Sequence, residues 1–391
     1  MKVLIINSVC GVGSTGKICQ DLYWALIKAG HECKIAWGRE KGGSVPETDT
    51  IKIGNVFDHW IHAFSSRILD NSGFCSSSAT KIFLNKVIEY NPDIVHIHNL
   101  HGYYINVKLL FDYLHKYNKK VIWTLHDCWA FTGHCTNMES INCNKWRRQC
   151  MHCQQKKTYP KSYIFDMSAR NFILKERVFT QLKNVTIITP SYWLKNLVLK
   201  SFLNKYNCVV VNNGINIDVF RRRIPETIDF VKHIDHRKII LTVANVWSNK
   251  KGYDDVLKLS DMIDEKEYVV VMIGVSKKQK THILHNYKNI IPICKTNNQI
   301  DLAVWYSEAK VFFNPTYEDN YPTVNLEAQA CGTPVVTYRT GGSIESVPSR
   351  NVIDKGDISM AINMFSQQLE VKDCIAKEQM IAQYMKMYDE Q

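Results

Sequence analysis

Glycines near the start of the chain form the first pattern that could do chemistry. The segment CGVGSTGKIC, residues 10–19, fits both the dinucleotide pattern G-x-G-x-x-G and the P-loop pattern G-x-x-x-x-G-K. A P-loop needs Ser or Thr at the next position to bind Mg²⁺, and Ile18 stands there. A dinucleotide-binding loop begins directly after its strand, whereas three residues intervene here. The segment keeps one property that both patterns share, which is anion binding by backbone N–H groups. Gly13 and Gly16 let these groups approach an anion at a helix N-terminus. A tight turn without a ligand is the alternative.

A cluster of cysteines is the second pattern. The stretch GHCTNMESINCNKWRRQCMHC ends in C-x-x-C and contains Cys135, Cys143, Cys150 and Cys153. Four thiolates in one loop suit a tetrahedral structural Zn²⁺ site, with His134 and His152 as substitute ligands. Buried free thiols and disulfides are the alternatives.

Paired acids form the third pattern, in NPTYEDNYPTVNLEAQACGTPVV, residues 314–336. Glu318 and Asp319 precede a third acid, Glu327, which opens the run EAQACGTPVV. This arrangement resembles the signature of retaining GT-B glycosyltransferases, in particular glycosyltransferase family 4. The family usually has Glu at the first acidic position, so the register leaves both Glu318 and Asp319 as candidates.

Further segments extend this resemblance over almost the whole chain. They are TLHDCW (124–129), TPSYW (189–193), NNGINIDVF (212–220), NKKGYDDVL (249–257) and TYRTGGSIESV (337–347). Two departures stand out: Tyr321-Pro322-Thr323 replaces common glycines, and Val246 stands where the family often has Arg. The missing charge then comes from Lys250 or Arg339, or is replaced by hydrogen bonds from Asn245.

The resemblance implies a role for each candidate site residue. Glu327 would hold the donor ribose, the first acid would orient the sugar ring, and Lys251 would bind the diphosphate. Transfer from a nucleotide sugar passes through an oxocarbenium-like transition state, and cations stabilise the leaving diphosphate. The catalytic candidates are Asp319, Glu318, Glu327 and His126, the last of which could instead be a core histidine. The donor or diphosphate candidates are Gly13, Gly16, Asn245, Lys250, Lys251, Asn320, Tyr321, Pro322 and Thr323.

Apolar runs separated by amphipathic segments must position these residues. KVLIIN (2–7) is typical of a buried parallel strand, and similar runs follow through the chain. The alternation restarts after a charged stretch at 220–238, which predicts two Rossmann-like, doubly wound α/β domains facing each other across a cleft, the GT-B architecture. The predicted parts are an acceptor-side domain at 1–220 with a cysteine-rich insertion at 128–160, a nucleotide-sugar domain at 221–370, and a closing helix at 371–391 that crosses back to the first domain.

Composition indicates a cytoplasmic protein at the inner face of the plasma membrane. The chain has 391 residues, no segment with the length of a membrane span and 13 cysteines, which in a reducing compartment suggest metal before disulfides. A net charge of +12 favours an anionic membrane surface and phosphates, and no nucleic-acid-binding motif is present. The mixed aromatic and basic segment at 58–81 could receive a lipid-linked acceptor or touch the membrane, and an ordinary surface loop and helix is the alternative. The acceptor-side candidates are Arg67, Lys81 and Asp127.

These patterns together predict a retaining glycosyltransferase. It would move a sugar from a nucleotide-diphosphate sugar to a lipid-linked or soluble saccharide during synthesis of exopolysaccharide, capsule or O-antigen. No catalytic metal is expected, because no clear D-x-D-type site is present. A GT-B nucleotide-sugar epimerase, which needs no acceptor, and a non-catalytic sugar-binding relative are the alternatives.

Overall fold

The computed structural model describes residues 1–223 and 236–389. They divide into two compact units, each with its own parallel sheet. The first unit is Met1–Val211 together with the chain from Ile381 onward, and the second is Asn212–Met380. The predicted interdomain connection at 220–238 falls largely on 224–235, outside the described residues.

The first unit contains a seven-stranded sheet of order β3-β2-β1-β4-β5-β6-β7 in which every neighbouring pair is parallel. Its strands are β1 (Lys2–Cys10), β2 (Glu32–Lys41), β3 (Thr50–Lys52), β4 (Ile94–Ile97), β5 (Lys120–Thr124), β6 (Val185–Thr189) and β7 (Asn207–Val210). Its helices are α1 (Gly13–Lys28), α2 (Val56–Leu69), α3 (Ser77–Tyr90), α4 (Val107–Lys116), α5 (Ser168–Phe179) and α6 (Tyr192–Val198).

The second unit repeats this plan with six strands in the order β10-β9-β8-β11-β12-β13. Its strands are β8 (Lys238–Val243), β9 (Tyr268–Ile273), β10 (Ile290–Ile293), β11 (Val311–Asn314), β12 (Val335–Tyr338) and β13 (Val352–Ile353). Its helices are α7 (Tyr253–Met262), α8 (Lys277–Asn286), α9 (Gln299–Glu308), α10 (Thr323–Ala330) and α11 (Ile358–Phe365).

Both strand orders reverse beside the first strand of their sheet, as in doubly wound nucleotide-binding folds. Loops that follow the strands meet at the carboxyl edge, where such folds bind ligands. The prediction of two Rossmann-like units is therefore confirmed. The edge strands β3 and β13 were not predicted, because neither carries an apolar run long enough to stand out.

The last helix, α12 (Lys377–Asp389), begins in the second unit and ends in the first. Its final turns pack into the first unit through two buried tyrosines, Tyr384 and Tyr388. The Tyr388 hydroxyl lies 2.6 Å from Nδ1 of His96, and Thr124 Oγ1 donates to the Tyr384 hydroxyl over 3.3 Å. Within the described ranges, no helix is long and apolar enough to cross a bilayer.

Candidate active site

The loop after β8 brings two lysines to the carboxyl edge of the second sheet. A short 3-10 helix, Asn249–Lys251, ends at Gly252 in the left-handed conformation (φ +73°). A Cβ at Gly252 would lie 2.3 Å from the carbonyl oxygen of Pro315, so only glycine lets this loop approach the loop after β11.

The two lysines face two consecutive acids on that neighbouring loop. Lys250 Nζ lies 2.6 Å from Oε2 of Glu318, and Lys251 Nζ lies 2.5 Å from Oδ2 of Asp319. The backbone N–H of Asn320 donates to the other Asp319 oxygen over 3.0 Å. The carboxylates are mostly buried, with 7% and 19% of the side chains exposed, while the lysines keep 39% and 38% exposed. The cationic ends are therefore accessible to an anionic ligand, and the acids orient them.

The third acid of the signature lies on the helix that follows. Glu327 is half-buried on α10, and the hydroxyl of Tyr306 donates to its Oε2 over 3.3 Å. Burial raises the pKa of Tyr306, so its phenol remains a proton donor. The side chain of Asn325 fixes the position of α10. Its Oδ1 accepts a hydrogen bond from Asn314 over 2.8 Å, and its Nδ2 donates to the Ser346 hydroxyl over 2.9 Å.

The other donor candidates occupy the same two loops. Asn320 and Tyr321 are buried, and the Tyr321 carbonyl accepts from the side chain of Asn213 over 3.1 Å. Pro322 caps α10 and Thr323 is its first residue. Asn245 is exposed after β8.

Arg339, one candidate to supply the cation missing at Val246, is largely exposed and pairs with Asp354 over 3.0 Å.

The first unit brings a second group of polar side chains to the carboxyl edge of its own sheet. His98 follows β4 and His126 follows β5, and their rings meet with Nδ1 of His98 2.9 Å from Nε2 of His126. Burial lowers the pKa of His126 to about 4, so its imidazole is neutral near pH 7. Nε2 of His98 is buried, and no partner for it lies in the described part of the chain.

Asp127 binds a histidine that lies outside the sequence motifs. Its Oδ2 lies 2.6 Å from Nε2 of His101, and its Oδ1 accepts the N–H of Trp129 over 2.9 Å. Burial opposes the charge, but His101 outweighs it and the pKa of Asp127 falls below its ordinary value. Nδ1 of His101 lies 3.0 Å from the hydroxyl of Tyr159. The spacing HIHNLH after a strand was the available sequence signal for His101, whereas Tyr159 lies 58 residues away.

A small cavity lies at this edge. Its walls include His98, Asn99, His101, His126, Asp127 and Trp129. The structure thus places two consecutive candidates, His126 and Asp127, on one cavity wall.

The glycine loop forms a tight turn at the N-terminus of α1. The N–H of Gly11 donates to the Gly16 carbonyl over 3.0 Å, and a Cβ at Gly11 would lie 2.3 Å from the Gly42 carbonyl. Gly13 also has a positive φ (+63°), but the space beside it is open. No side chain caps α1, and its first turn carries no acid. The first amides of α1 are therefore suited to an anion.

The cysteine cluster does not support the predicted zinc site. Thiols of Cys135 and Cys153 hydrogen-bond to each other, which lowers the pKa of Cys153 to about 7. Cys150 accepts the N–H of Gly133 over 3.2 Å, and Cys143 packs on the core. Within residues 1–223 and 236–389, no group of three or more His, Cys, Asp or Glu could hold a metal, and none of the 13 cysteines forms a disulfide.

A buried lysine organises this insertion instead. Lys175 Nζ donates to the carbonyls of Trp129 (2.7 Å) and Thr132 (3.0 Å) and lies 3.5 Å from the Trp129 ring centre. His134, considered as a zinc ligand, contacts Asp70 through Nδ1. Its imidazole therefore serves an internal ion pair.

The remaining acceptor-side candidates lie on helices of the first unit. Arg67 is exposed in the last turn of α2, 5.9 Å from the ring of Tyr103, and Lys81 is exposed near the start of α3.

Two family models match the chain. The model described as Glycosyltransferase Family 4 matches residues 15–219, and the model described as Glycosyl transferases group 1 matches residues 225–381. The chain belongs to glycosyltransferase family 4.

Individual relatives agree with this assignment. The family 4 chain is 23% identical to WcaC of Escherichia coli K12, named as a colanic acid biosynthesis glycosyl transferase, over 99% of both chains. It is 25% identical to the Campylobacter jejuni N,N'-diacetylbacillosaminyl-diphospho-undecaprenol alpha-1,3-N-acetylgalactosaminyltransferase, over 50% of this chain and 57% of the relative. The structure of Anabaena HepE in complex with UDP and glucose is similar, with a TM-score of 0.64 over 100% of both chains at 11% identity. The predicted family and GT-B fold are confirmed.

Proposed function

We propose that this glycosyltransferase moves a sugar from a nucleotide-diphosphate sugar to a saccharide acceptor, with retention of the anomeric configuration, in bacterial surface polysaccharide synthesis. The observation that carries the proposal is the double pair Lys250–Glu318 and Lys251–Asp319 at the carboxyl edge of the second sheet. The naming of WcaC as a colanic acid biosynthesis enzyme supports the polysaccharide setting.

The second unit supplies the donor side. Lys251 and Lys250 bind the diphosphate and stabilise the negative charge that grows as the sugar–phosphate bond breaks. The Tyr306 hydroxyl holds the Glu327 carboxylate in place, and Glu327 accepts hydrogen bonds from the ribose hydroxyls. Asp319, with Glu318, orients the sugar and stabilises positive charge on the ring. Asn245 and residues 320–323 complete the donor pocket. UDP in the HepE structure makes a UDP-sugar the first donor to test.

The bond changes balance without a protein nucleophile. The bond from the anomeric carbon to the diphosphate oxygen breaks, and an acceptor hydroxyl oxygen bonds to the same carbon on the same face. The hydroxyl proton passes to the departing diphosphate, which thus acts as the base. Gly13 and Gly16 present amides of α1 to the diphosphate or the acceptor.

The first unit supplies the acceptor side. Nε2 of His98 offers a ring nitrogen to a sugar hydroxyl, and His126, neutral through burial, positions the His98 ring on the cavity wall. The Asp127–His101 pair, with the Tyr159 hydroxyl on the other ring nitrogen of His101, lines the proposed acceptor cavity. Arg67 and Lys81 attract a phosphate-bearing acceptor.

The acceptor is lipid-linked, and the enzyme works in the cytoplasm as a peripheral protein at the inner face of the plasma membrane. The undecaprenol-linked substrate in the name of the Campylobacter relative and the net charge of +12 support this proposal.

A panel of nucleotide sugars with product detection by mass tests the proposal. One donor should give an acceptor with one added sugar, and Glu327→Ala should lose this activity while Glu308→Ala, an exposed acid on α9, keeps it. Product NMR should show the anomeric configuration of the donor. Inversion would overturn the retaining assignment, and equal activity of both variants would overturn the site.

A further inference from the structure

Helix α2 buries polar side chains and exposes aromatic ones. The side that faces the first unit carries His59, His62, Ala63 and Ser66, all buried. The opposite side exposes large apolar groups, with 67% of Phe57, 62% of Trp60 and 50% of Phe64 open to solvent. A surface helix of a water-soluble protein normally shows the opposite arrangement.

Hydrogen bonds hold the buried histidines in this orientation. His59 Nε2 lies 2.8 Å from the Ile53 carbonyl and therefore donates to it. Nε2 of His62 accepts the N–H of Gly73 over 3.2 Å, which leaves Nδ1 to donate to the Ser76 hydroxyl at 2.8 Å. Rolling α2 to bury its aromatic side would break all three bonds and expose a packed face. The aromatic face is thus held outward by the fold.

The helix is also preformed. Asn55 and Asp58 form a capping box at its start, and Asp70 closes it in the left-handed conformation with its N–H on the Ser66 carbonyl. The rings of Trp60 and Phe64 stack at 5.4 Å, nearly parallel.

A neighbouring segment extends the apolar surface. The N–H of Tyr163 donates to the Arg67 carbonyl over 2.7 Å, and the N–H of Phe165 donates to the Ile68 carbonyl over 3.0 Å. More than half of each of the three side chains in this segment is exposed. The α2 patch is defined as Phe57, Trp60, Ile61, Phe64, Leu69, Tyr163, Ile164 and Phe165.

Cationic groups border the α2 patch. Arg67 is exposed in the last turn of α2, Lys161 is exposed beside the segment, and Nζ of Lys156 donates to the Ile164 carbonyl over 3.2 Å. Asp58, the single acid on α2, is engaged in the capping box. An aromatic surface with a positive rim matches the boundary between acyl chains and anionic headgroups.

We propose that the α2 patch is the face with which this protein docks on an anionic lipid bilayer. Trp60, Phe57 and Phe64 enter the headgroup boundary, and Arg67, Lys156 and Lys161 contact lipid phosphates. The proposal rests on the membrane setting of the proposed function and assigns that setting to one surface. Acceptor lipid would then reach the enzyme from the same bilayer.

Sedimentation with vesicles tests the docking face. The full-length protein should pellet with vesicles of phosphatidylcholine mixed with phosphatidylglycerol, and far less with phosphatidylcholine alone. Trp60→Gln/Phe64→Gln should lower the vesicle partition coefficient at least about 10-fold, because two aromatic groups no longer leave water. Leu284→Gln/Ile300→Gln removes two exposed apolar side chains from α8 and α9 and should bind as the wild type does.

The variant Trp60→Phe tests whether the α2 patch is the surface that faces the membrane. Trp60→Phe should still pellet with the anionic vesicles, but brominated lipid should quench less tryptophan fluorescence than in the wild type. Unchanged quenching would place another surface on the membrane and overturn the assignment.

Binding of UDP-glucose, followed by thermal shift, separates this proposal from the proposed function. The α2 double variant should keep the wild-type shift and melting temperature, which also shows that it folds. If the wild type binds vesicles through the patch but binds no nucleotide sugar, the proposed function is overturned and the docking proposal stands. The docking proposal fails if the wild type does not bind anionic vesicles, or if the double variant pellets equally well. It also fails if sedimentation velocity shows that the patch joins two copies of the chain.

Discussion

Lys251 illustrates what the side-chain geometry adds to a motif. The sequence pointed to Lys251 as a diphosphate ligand and to Asp319 as a sugar ligand, 68 residues apart. The structure shows them as one ion pair at 2.5 Å, so a bound diphosphate would share Lys251 with a carboxylate already in place. A positioned lysine loses less freedom on binding than a free one.

Removal of this cation should impair catalysis more than stability. Lys251→Met should lower kcat/KM at least about 100-fold, because the leaving diphosphate loses a charge that acts in the transition state. Steady-state kinetics with the best donor from the panel measures this. Lys258→Met, which removes an exposed lysine on α7, is the control and should remain within about twofold of the wild type. A similar loss in both variants would contradict the role of Lys251.

Buried histidines make stability depend on pH. Burial lowers the pKa of His62 and His96 to about 3 and that of His126 to about 4, from an ordinary 6.5. Between about pH 4 and 6.5 the unfolded chain therefore binds more protons than the folded chain, and the free energy of unfolding falls as pH decreases. Each histidine contributes a slope of up to about 1.4 kcal/mol per pH unit.

Urea denaturation at about pH 7 and pH 5 checks this expectation. The midpoint should be lower at the acidic pH, and His62→Gln should show a smaller difference between the two conditions. His285→Gln, which changes an exposed histidine on α8, should behave as the wild type does. A midpoint that does not change with pH would contradict the neutral state of these side chains.

At the scale of elements, two glycines of the turn before α1 have different roles: Gly11 is needed for folding, and Gly13 is proposed to serve binding. Gly11→Ala places a Cβ 2.3 Å from the Gly42 carbonyl and should destabilise the protein severely, whereas Gly13→Ala meets open space. Gly13→Ala should cost only about 1–2 kcal/mol of strain from its positive φ. It should raise the KM for donor or acceptor, measured in initial-rate assays. Unchanged KM values for both substrates in folded Gly13→Ala would remove the turn from the site.

Helix α12 contacts His96, a buried histidine whose ring packs against His98 of the first-unit cavity. Tyr388→Phe removes the hydroxyl that lies 2.6 Å from His96 Nδ1 and should lower the free energy of unfolding by about 1–3 kcal/mol. Tyr117→Phe, at a tyrosine 43% exposed, should change it by less than about 0.5 kcal/mol. Urea unfolding measures both, and equal effects would contradict the importance of the buried contact.

The elements were predictable where one local signal dominated. Continuous apolar runs predicted β1, β9 and β12, because strands buried on both faces need no alternation. The aromatic residues of segment 58–81 were proposed to contact an acceptor or the membrane, but their exposure along one side of α2 was not predicted, since an apolar face in a sequence is ordinarily a buried one. The described part of the chain does not group the ligands of the predicted zinc site, because spacing along a chain does not determine where thiols point.

At the scale of the whole molecule, the two repeats of alternating strands and helices predicted two Rossmann-like units, and the family 4 signature predicted their chemistry. The proposed donor residues lie close to the signature in sequence or match a family segment, so they were proposed from the sequence. His101 and Tyr159 meet only through the tertiary fold and were not. Local patterns thus proposed more residues for the donor side than for the acceptor side.

The proposed function requires this glycosyltransferase to couple release of a nucleoside diphosphate to growth of an acceptor. The most direct measurement follows both products together, with the accepted nucleotide sugar and a lipid-linked saccharide, by mass spectrometry. We predict that one nucleoside diphosphate is released for each sugar added, and that Lys251→Met slows both together. Conversion of the donor without acceptor growth, or release of a free sugar at the same rate whether or not acceptor is present, would contradict the account.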